Sequence, residues 1–158
     1  MSVVANSCKK ESQTELVSSL LTHGTWQLAS VIVFNSVGNT SLKTDTLNTT
    51  CSLKQVFQFN SNNTCTYTNF ACINQPTAQG NWTLLNNGLN LTANMACTDT
   101  VKGTNGLSTT TDKPFIYAQI YNLGQYSLVL RTGDITAYIT PTTKRVVVQY
   151  GFVHPSNN

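Results

Sequence analysis

Apolar positions change period once along this chain. Leu16, Val17, Leu20 and Leu21 fall at helical intervals, behind Ser12 and Glu15 at capping-box spacing and ahead of Gly24. That pattern predicts one short amphipathic helix. From Thr25 onward the period is two, and it predicts eight strands: TWQLASVIVF (25–34), LKQVFQF (53–59), CTYTNF (65–70), NWTLL (81–85), LNLTANM (89–95), FIYAQIY (115–121), QYSLVLR (125–131) and KRVVVQYGF (144–152). Strict alternation in the first strand puts Trp26, Leu28, Ile32 and Phe34 on one face.

Short and long connections alternate between these strands. The links at 60–64, 86–88 and 122–124 are hairpin-short, and the second is built on Asn87-Gly88. The links at 35–52, 71–80, 96–114 and 132–143 are long, with Gly133 and Asp134 ahead of ITAYIT as an alternative start for a ninth short strand. If consecutive strands pair as a meander, tight turns share one rim and long loops ring the other. An eight-stranded antiparallel sheet that must bury one face and lose its edges closes into an up-and-down barrel. The expected fold class is all-β, such a barrel preceded by one helix.

Composition sharpens this picture. The chain has 158 residues, of which only 9% are charged, and Thr, Asn and Ser supply most of its polarity, as suits a sheet rich in turns. One domain of this length buries roughly 70% of its unfolded surface. The net charge of +3 comes from scattered Lys and Arg, which argues against nucleic acid as a partner. No apolar run reaches the roughly 18 residues of a helical membrane span.

Candidate chemistry is sparse. None of the six Asp and Glu residues falls within a predicted strand, so no inward acid pair is expected. His23 and His154 lie near opposite ends of the chain, and neither stands beside a nucleophile in a local motif. The five cysteines, Cys8, Cys51, Cys65, Cys72 and Cys97, match no zinc spacing. A non-enzymatic protein without metal or cofactor is expected. The five N-x-S/T sequons follow from the abundance of Asn and Thr.

Helix, Gly24-x-Trp26, the hairpin FQFNSNNTCTYTNFAC and the second G-x-W of QGNWTLLNNG occur in that order ahead of the later strands. Over about residues 14–152 the chain therefore resembles lipocalin-like barrels, and in particular the lipocalin-like lipoproteins of the Bacteroidetes. It departs from them in the hairpin turn, which has Asn63 in place of the usual Gly and no Asp. The resemblance implies that Gly24 and Trp26 form the barrel's structural floor. It also implies a role for Cys8: VVANSC followed by KKESQTE looks like the end of a lipoprotein signal, with Cys8 the lipidated residue. MSVV supplies neither the basic leader nor the full apolar region of such a signal, so this reading expects either a natural start upstream or an N-terminus altered for expression. The organisation that follows is a signal remnant and tether (1–13), a barrel (14–153) and a C-terminal tail (154–158), anchored in the cell envelope.

The hairpin register gives the cysteines a geometry. Pairing Phe59 with Cys65 and Phe57 with Tyr67 brings Cys51 within one residue of Cys72. Cys51–Cys72 is the favoured disulfide, Cys97 competes for Cys72, and Cys65 is expected as a buried free thiol. The inward set adds Phe57, Phe59, Tyr67, Trp82, Leu84, Leu91, Tyr126, Leu128, Leu130, Val146, Val148 and Tyr150 to Trp26 and Leu28 of the first strand. At the mouth the expected ligand-contacting residues are Ile32, Phe34, Leu53, Gln55, Asn69, Trp82, Met95, Tyr117 and Leu130. Apolar walls with a few amides suit a small apolar or amphipathic ligand. The alternative is a filled barrel whose loops 35–52 and 96–114 grip a protein partner.

Overall fold

A computed structural model of the protein describes residues 12–103, 106–136 and 138–155. Cys8, with residues 1–11 of the expected tether, lies outside the described residues, and the last two tether residues, Ser12 and Gln13, open the helix. Helix α1 (Gln13–Thr22) begins at the capping box: the Glu15 amide donates to Ser12 Oγ (3.2 Å), and the Ser12 amide donates to a Glu15 carboxylate oxygen (2.9 Å). It buries Leu21 against the sheet and ends at His23.

The strands are β1 (Thr25–Val37), β2 (Thr40–Leu47), β3 (Val56–Phe59), β4 (Thr64–Thr68), β5 (Ala78–Leu85), β6 (Asn90–Ala93), β7 (Cys97–Gly103), β8 (Gly106–Asp112), β9 (Ala118–Leu123), β10 (Ser127–Gly133) and β11 (Lys144–Val153). Eight of them form the ring β1-β3-β4-β5-β6-β9-β10-β11, antiparallel throughout and closed by β11 against β1. The barrel is an up-and-down meander. Its tight turns, at 60–63, 86–89 and 124–126, lie at one rim, to which α1 also packs: a Cβ on Gly88 would stand 3.1 Å from Val17. Asn63, Asn87 and Gly88 have φ of 64°, 56° and 84°, the left-handed turn geometry that Asn and Gly tolerate.

Two of the expected long loops are hairpins. The 35–52 link contains β2, which folds back along the upper half of β1, and the 96–114 link is the β7–β8 hairpin, a two-stranded sheet of its own. Among the described residues the ITAYIT segment forms no strand.

The largest correction lies inside β1. Its register against β11 shifts between Leu28 and Ser30, a bulge that inserts one residue and reverses the alternation above it. Val31, only 3% exposed, therefore faces inward. Ile32 and Phe34 pair with Gln149 and Val147 on the outer wall. There the Arg131 guanidinium lies 5.8 Å from the centroid of the Phe34 ring and 3.3 Å from that of Tyr121, and its Nε donates to Gln149 (2.8 Å). Tyr126 and Val146 are likewise exposed rather than inward.

The barrel interior is filled. Trp26, Phe57, Phe59, Tyr67, Phe115 and Phe152 are among its largest fully buried side chains. Phe57 stacks on Phe59 at a centroid distance of 4.1 Å and meets Phe115 and Tyr67 at 5.0 and 5.3 Å, the latter two within the usual range of favourable aromatic contact. Phe115 stands ahead of β9 and was absent from the expected inward set.

Candidate ligand site at the barrel mouth

Opposite the tight turns, the mouth is shaped by the strap 48–55 between β2 and β3 and by the 3-10 turn Phe70–Cys72. Cys51 and Cys72 are disulfide-bonded, with Cα atoms 5.8 Å apart, and join strap to turn. Asn69 adds a hydrogen bond from Nδ2 to the Lys54 carbonyl (3.1 Å). Asn69, Ala71 and Cys72 all have φ between 54° and 61°. Left-handed backbone at non-glycine residues costs on the order of 1–3 kcal/mol each and gathers at ligand clamps.

The β7–β8 hairpin is fastened to the same turn by one side chain. Gln75 Nε2 donates to the Phe70 carbonyl (3.0 Å) and the Thr98 carbonyl (2.9 Å), while its Oε1 accepts from the Thr98 amide (2.8 Å). Strap, turn and hairpin thus form one cross-braced rim above the packed interior.

Within that rim lies a cavity of about 350 Å³. Val31, Leu47, Val148 and the rings of Phe70 and Tyr150 supply apolar walls, and Asn48, Gln55, Asp99 and Thr100 supply polar atoms. A second cavity of about 340 Å³ follows the strap from Thr46 to Gln55 along the bulged part of β1, and the two share Val31, Leu47, Asn48 and Gln55. Gln55 is the pivot between them, 4% exposed, with Nε2 3.6 Å from Cys51 Sγ.

The electrostatics of the mouth favour protons. Burial raises the Tyr150 phenol above its ordinary pKa, and the Asp99 charge adds to this. Burial likewise raises Tyr67, helped by Tyr150 and Cys97. The Tyr67 hydroxyl is buried without a hydrogen-bond partner among the described residues. Burial pushes the free thiols of Cys65 and Cys97 up to about 11 and about 12, Cys97 further through Cys65, Asp99 and Asp112.

The structure scatters the expected mouth residues. Gln55 lines both cavities and Leu53 the outer one. Asn69 braces the strap, Met95 and Leu130 are fully buried core, and Tyr117 is half-buried beside Ala118. Ile32 and Phe34 lie outside the barrel, for the reason given above. Trp82 is at the wrong end. Strand β5 begins at Ala78 rather than Asn81, and Asn81 pairs with Thr64 at the foot of β4, so Trp82 sits beside the tight turn. Its Nε1 donates to the Asn60 carbonyl (3.0 Å), and its ring meets Phe59 edge-on at 5.5 Å.

Other site residues escaped the sequence pattern. Asp99 and Thr100 belong to a strand whose Thr-rich alternation carries no apolar signal, and Val31 is hidden by the bulge. At the closed rim, Trp26 donates through Nε1 to the Leu21 carbonyl (2.9 Å) and stacks on His154, with ring centroids 3.9 Å apart. Gly24 packs against the same imidazole, to which a Cβ there would stand 3.5 Å away. His154, expected in a tail, is therefore part of the floor, and the fold brings it to 6.4 Å from His23 between ring centroids. Among the described residues no group of three or more His, Cys, Asp or Glu side chains is placed to hold a metal ion. No family model and no curated protein matches the chain, which leaves the barrel and the chemistry of its mouth to carry a functional reading.

Proposed function

We propose that the chain is a lipocalin-like binding protein that takes a small amphipathic ligand at the mouth of its barrel, held to the cell envelope by a lipid on Cys8 as in lipoproteins of the Bacteroidetes type. The observation that carries the ligand half is the cavity of about 350 Å³ set in the cross-braced rim, with apolar walls and a few polar atoms. Such a volume is at the small end of ligand pockets, and the filled interior beneath leaves no deep calyx, so the ligand is small. Binding rather than catalysis is the reading, because the described residues lining the mouth cavity include one carboxylate, Asp99, and no partner for acid–base work. The anchor half draws support from polarity: α1 leads into β1 at the tight-turn rim, so a lipid upstream of Ser12 leaves the mouth facing away from the membrane.

Two measurements test it. Titration with small amphipathic probes should shift the methyl resonances of Val31, Leu47 and Val148 and leave those of Leu21 unmoved; shifts confined to the outer wall would overturn the mouth. Cys8→Ser in the full-length precursor should release folded protein from membranes, and a variant that stays bound would defeat the anchor.

A second reading rests on the β7–β8 hairpin. Strand β8 is exposed along its whole length, and Leu107 at its start is 79% exposed. With the barrel filled, the hairpins grown from 35–52 and 96–114 would grip a protein partner instead.

A further inference from the structure

Resting on the mouth-binding reading, we infer that the ligand carries an organic ammonium group, a primary amine or a quaternary ammonium on a short apolar body. The described residues lining the mouth cavity include one carboxylate, Asp99, and no lysine or arginine. Phe70 and Tyr150 line the same cavity, their ring centroids 6.3 Å apart. A carboxylate and aromatic side chains on one cavity complement a cation twice, through the carboxylate charge and through the quadrupoles of the rings. An anionic ligand would meet repulsion from both.

Further observations favour a cation. Asp99 is oriented by its own backbone, one carboxylate oxygen accepting from the Thr100 amide at 2.6 Å. Asp112, two strands' worth of chain later, pairs with Cys97 across the hairpin and places a second carboxylate at its base. Burial is the main reason that Cys97 and Tyr150 hold their protons, and the negative charges of Asp99 and Asp112 add to it at both. Hydrogen-bond acceptors for ammonium N–H groups stand close by in the Asn48 and Gln55 amides. The Tyr67 ring meets that of Phe70 edge-on at 5.4 Å between centroids, and its buried hydroxyl has no hydrogen-bond partner among the described residues. Val31, Leu47 and Val148 remain for the apolar body.

The test compares three probes of nearly equal shape: 2-phenylethylammonium, 2-phenylethanol and 3-phenylpropanoate. Calorimetric titration at low salt should show the ammonium binding tighter than the alcohol by about three- to tenfold, with the carboxylate weakest. Asp99→Asn keeps the backbone hydrogen bond and should bring the ammonium within about twofold of the alcohol. Equal affinity for ammonium and alcohol, or a preference that survives Asp99→Asn, overturns the inference while leaving the mouth reading intact. Failure of all three probes to shift the Val31, Leu47 and Val148 methyl resonances overturns both. Phosphatidylcholine vesicles then locate the source: sedimentation with them that is lost in Asp99→Asn puts the ammonium on a lipid headgroup, and probe binding without vesicle binding puts it on a free molecule.

Discussion

At the scale of single residues, the buried thiols report the environment most directly. Cys65 and Cys97 are both buried and free, and burial raises them to about 11 and about 12 from ordinary values near 9. A thiol whose folded pKa is raised binds its proton more tightly in the native state. The associated stability is therefore complete below the unfolded pKa and is lost as pH rises through the folded one. Urea unfolding should give a stability that carries no thiol-dependent slope below pH 8 and falls from about pH 9 to 12. Cys65→Ala and Cys97→Ala together should flatten that fall, and an unchanged slope would show that the thiols are not its source. For the same reason thiol reagents at neutral pH should label native protein far more slowly than unfolded protein, because little thiolate is present.

At the scale of elements, the strap 48–55 and the 3-10 turn Phe70–Cys72 depend on each other. Left-handed backbone at Asn69, Ala71 and Cys72 persists because the disulfide and the Gln75 hydrogen bonds over-determine it. The disulfide spans a sequence separation of 21, for which chain entropy predicts about 3 kcal/mol of stabilisation. Cys51→Ser with Cys72→Ser should lower unfolding stability by about 2–4 kcal/mol and weaken probe binding at the mouth. Loss of stability with full binding would separate strap order from the site. Strand β5 carries a second constraint: a Cβ on Gly80 would fall 2.6 Å from the Met95 backbone nitrogen. Gly80→Ala should cost about 1–3 kcal/mol by the same denaturation measurement.

At the scale of the whole molecule, the barrel and the β7–β8 hairpin are separate sheets, and this allows the two functional readings to be parted. Replacing residues 101–108 by Asn-Gly would join Thr100 to Thr109, a pair already in register, through a two-residue turn. Asp99 and the Gln75 bonds to Thr98 stay in place. The shortened protein should keep its stability within about 1 kcal/mol and keep its affinity for mouth probes. Capture of a protein partner, if that is the function, should be lost.

The period-two pattern, the Asn-Gly turn and the alternation of short and long links were enough to specify an eight-stranded meander with one capped helix, and Phe57–Tyr67 and Phe59–Cys65 pairing was enough to place Cys51 by Cys72. These are local signals, carried by alternation, turn chemistry and register within one hairpin. What lay beyond them was decided by contacts between distant segments. A one-residue bulge opposite β11 leaves no mark in composition, yet it turns Ile32 and Phe34 out and Val31 in. Trp82 alternates correctly, but its height in the barrel depends on the stagger of β5 against β4, which apolar period does not encode. Asp99 reaches the mouth because a polar hairpin folds over the rim, and His154 meets Trp26 because the last strand closes on the first. Sequence periodicity determines which face of a strand is apolar within an unbroken run; only closure of the barrel determines which residues share a depth, and a binding site is a set of residues at one depth.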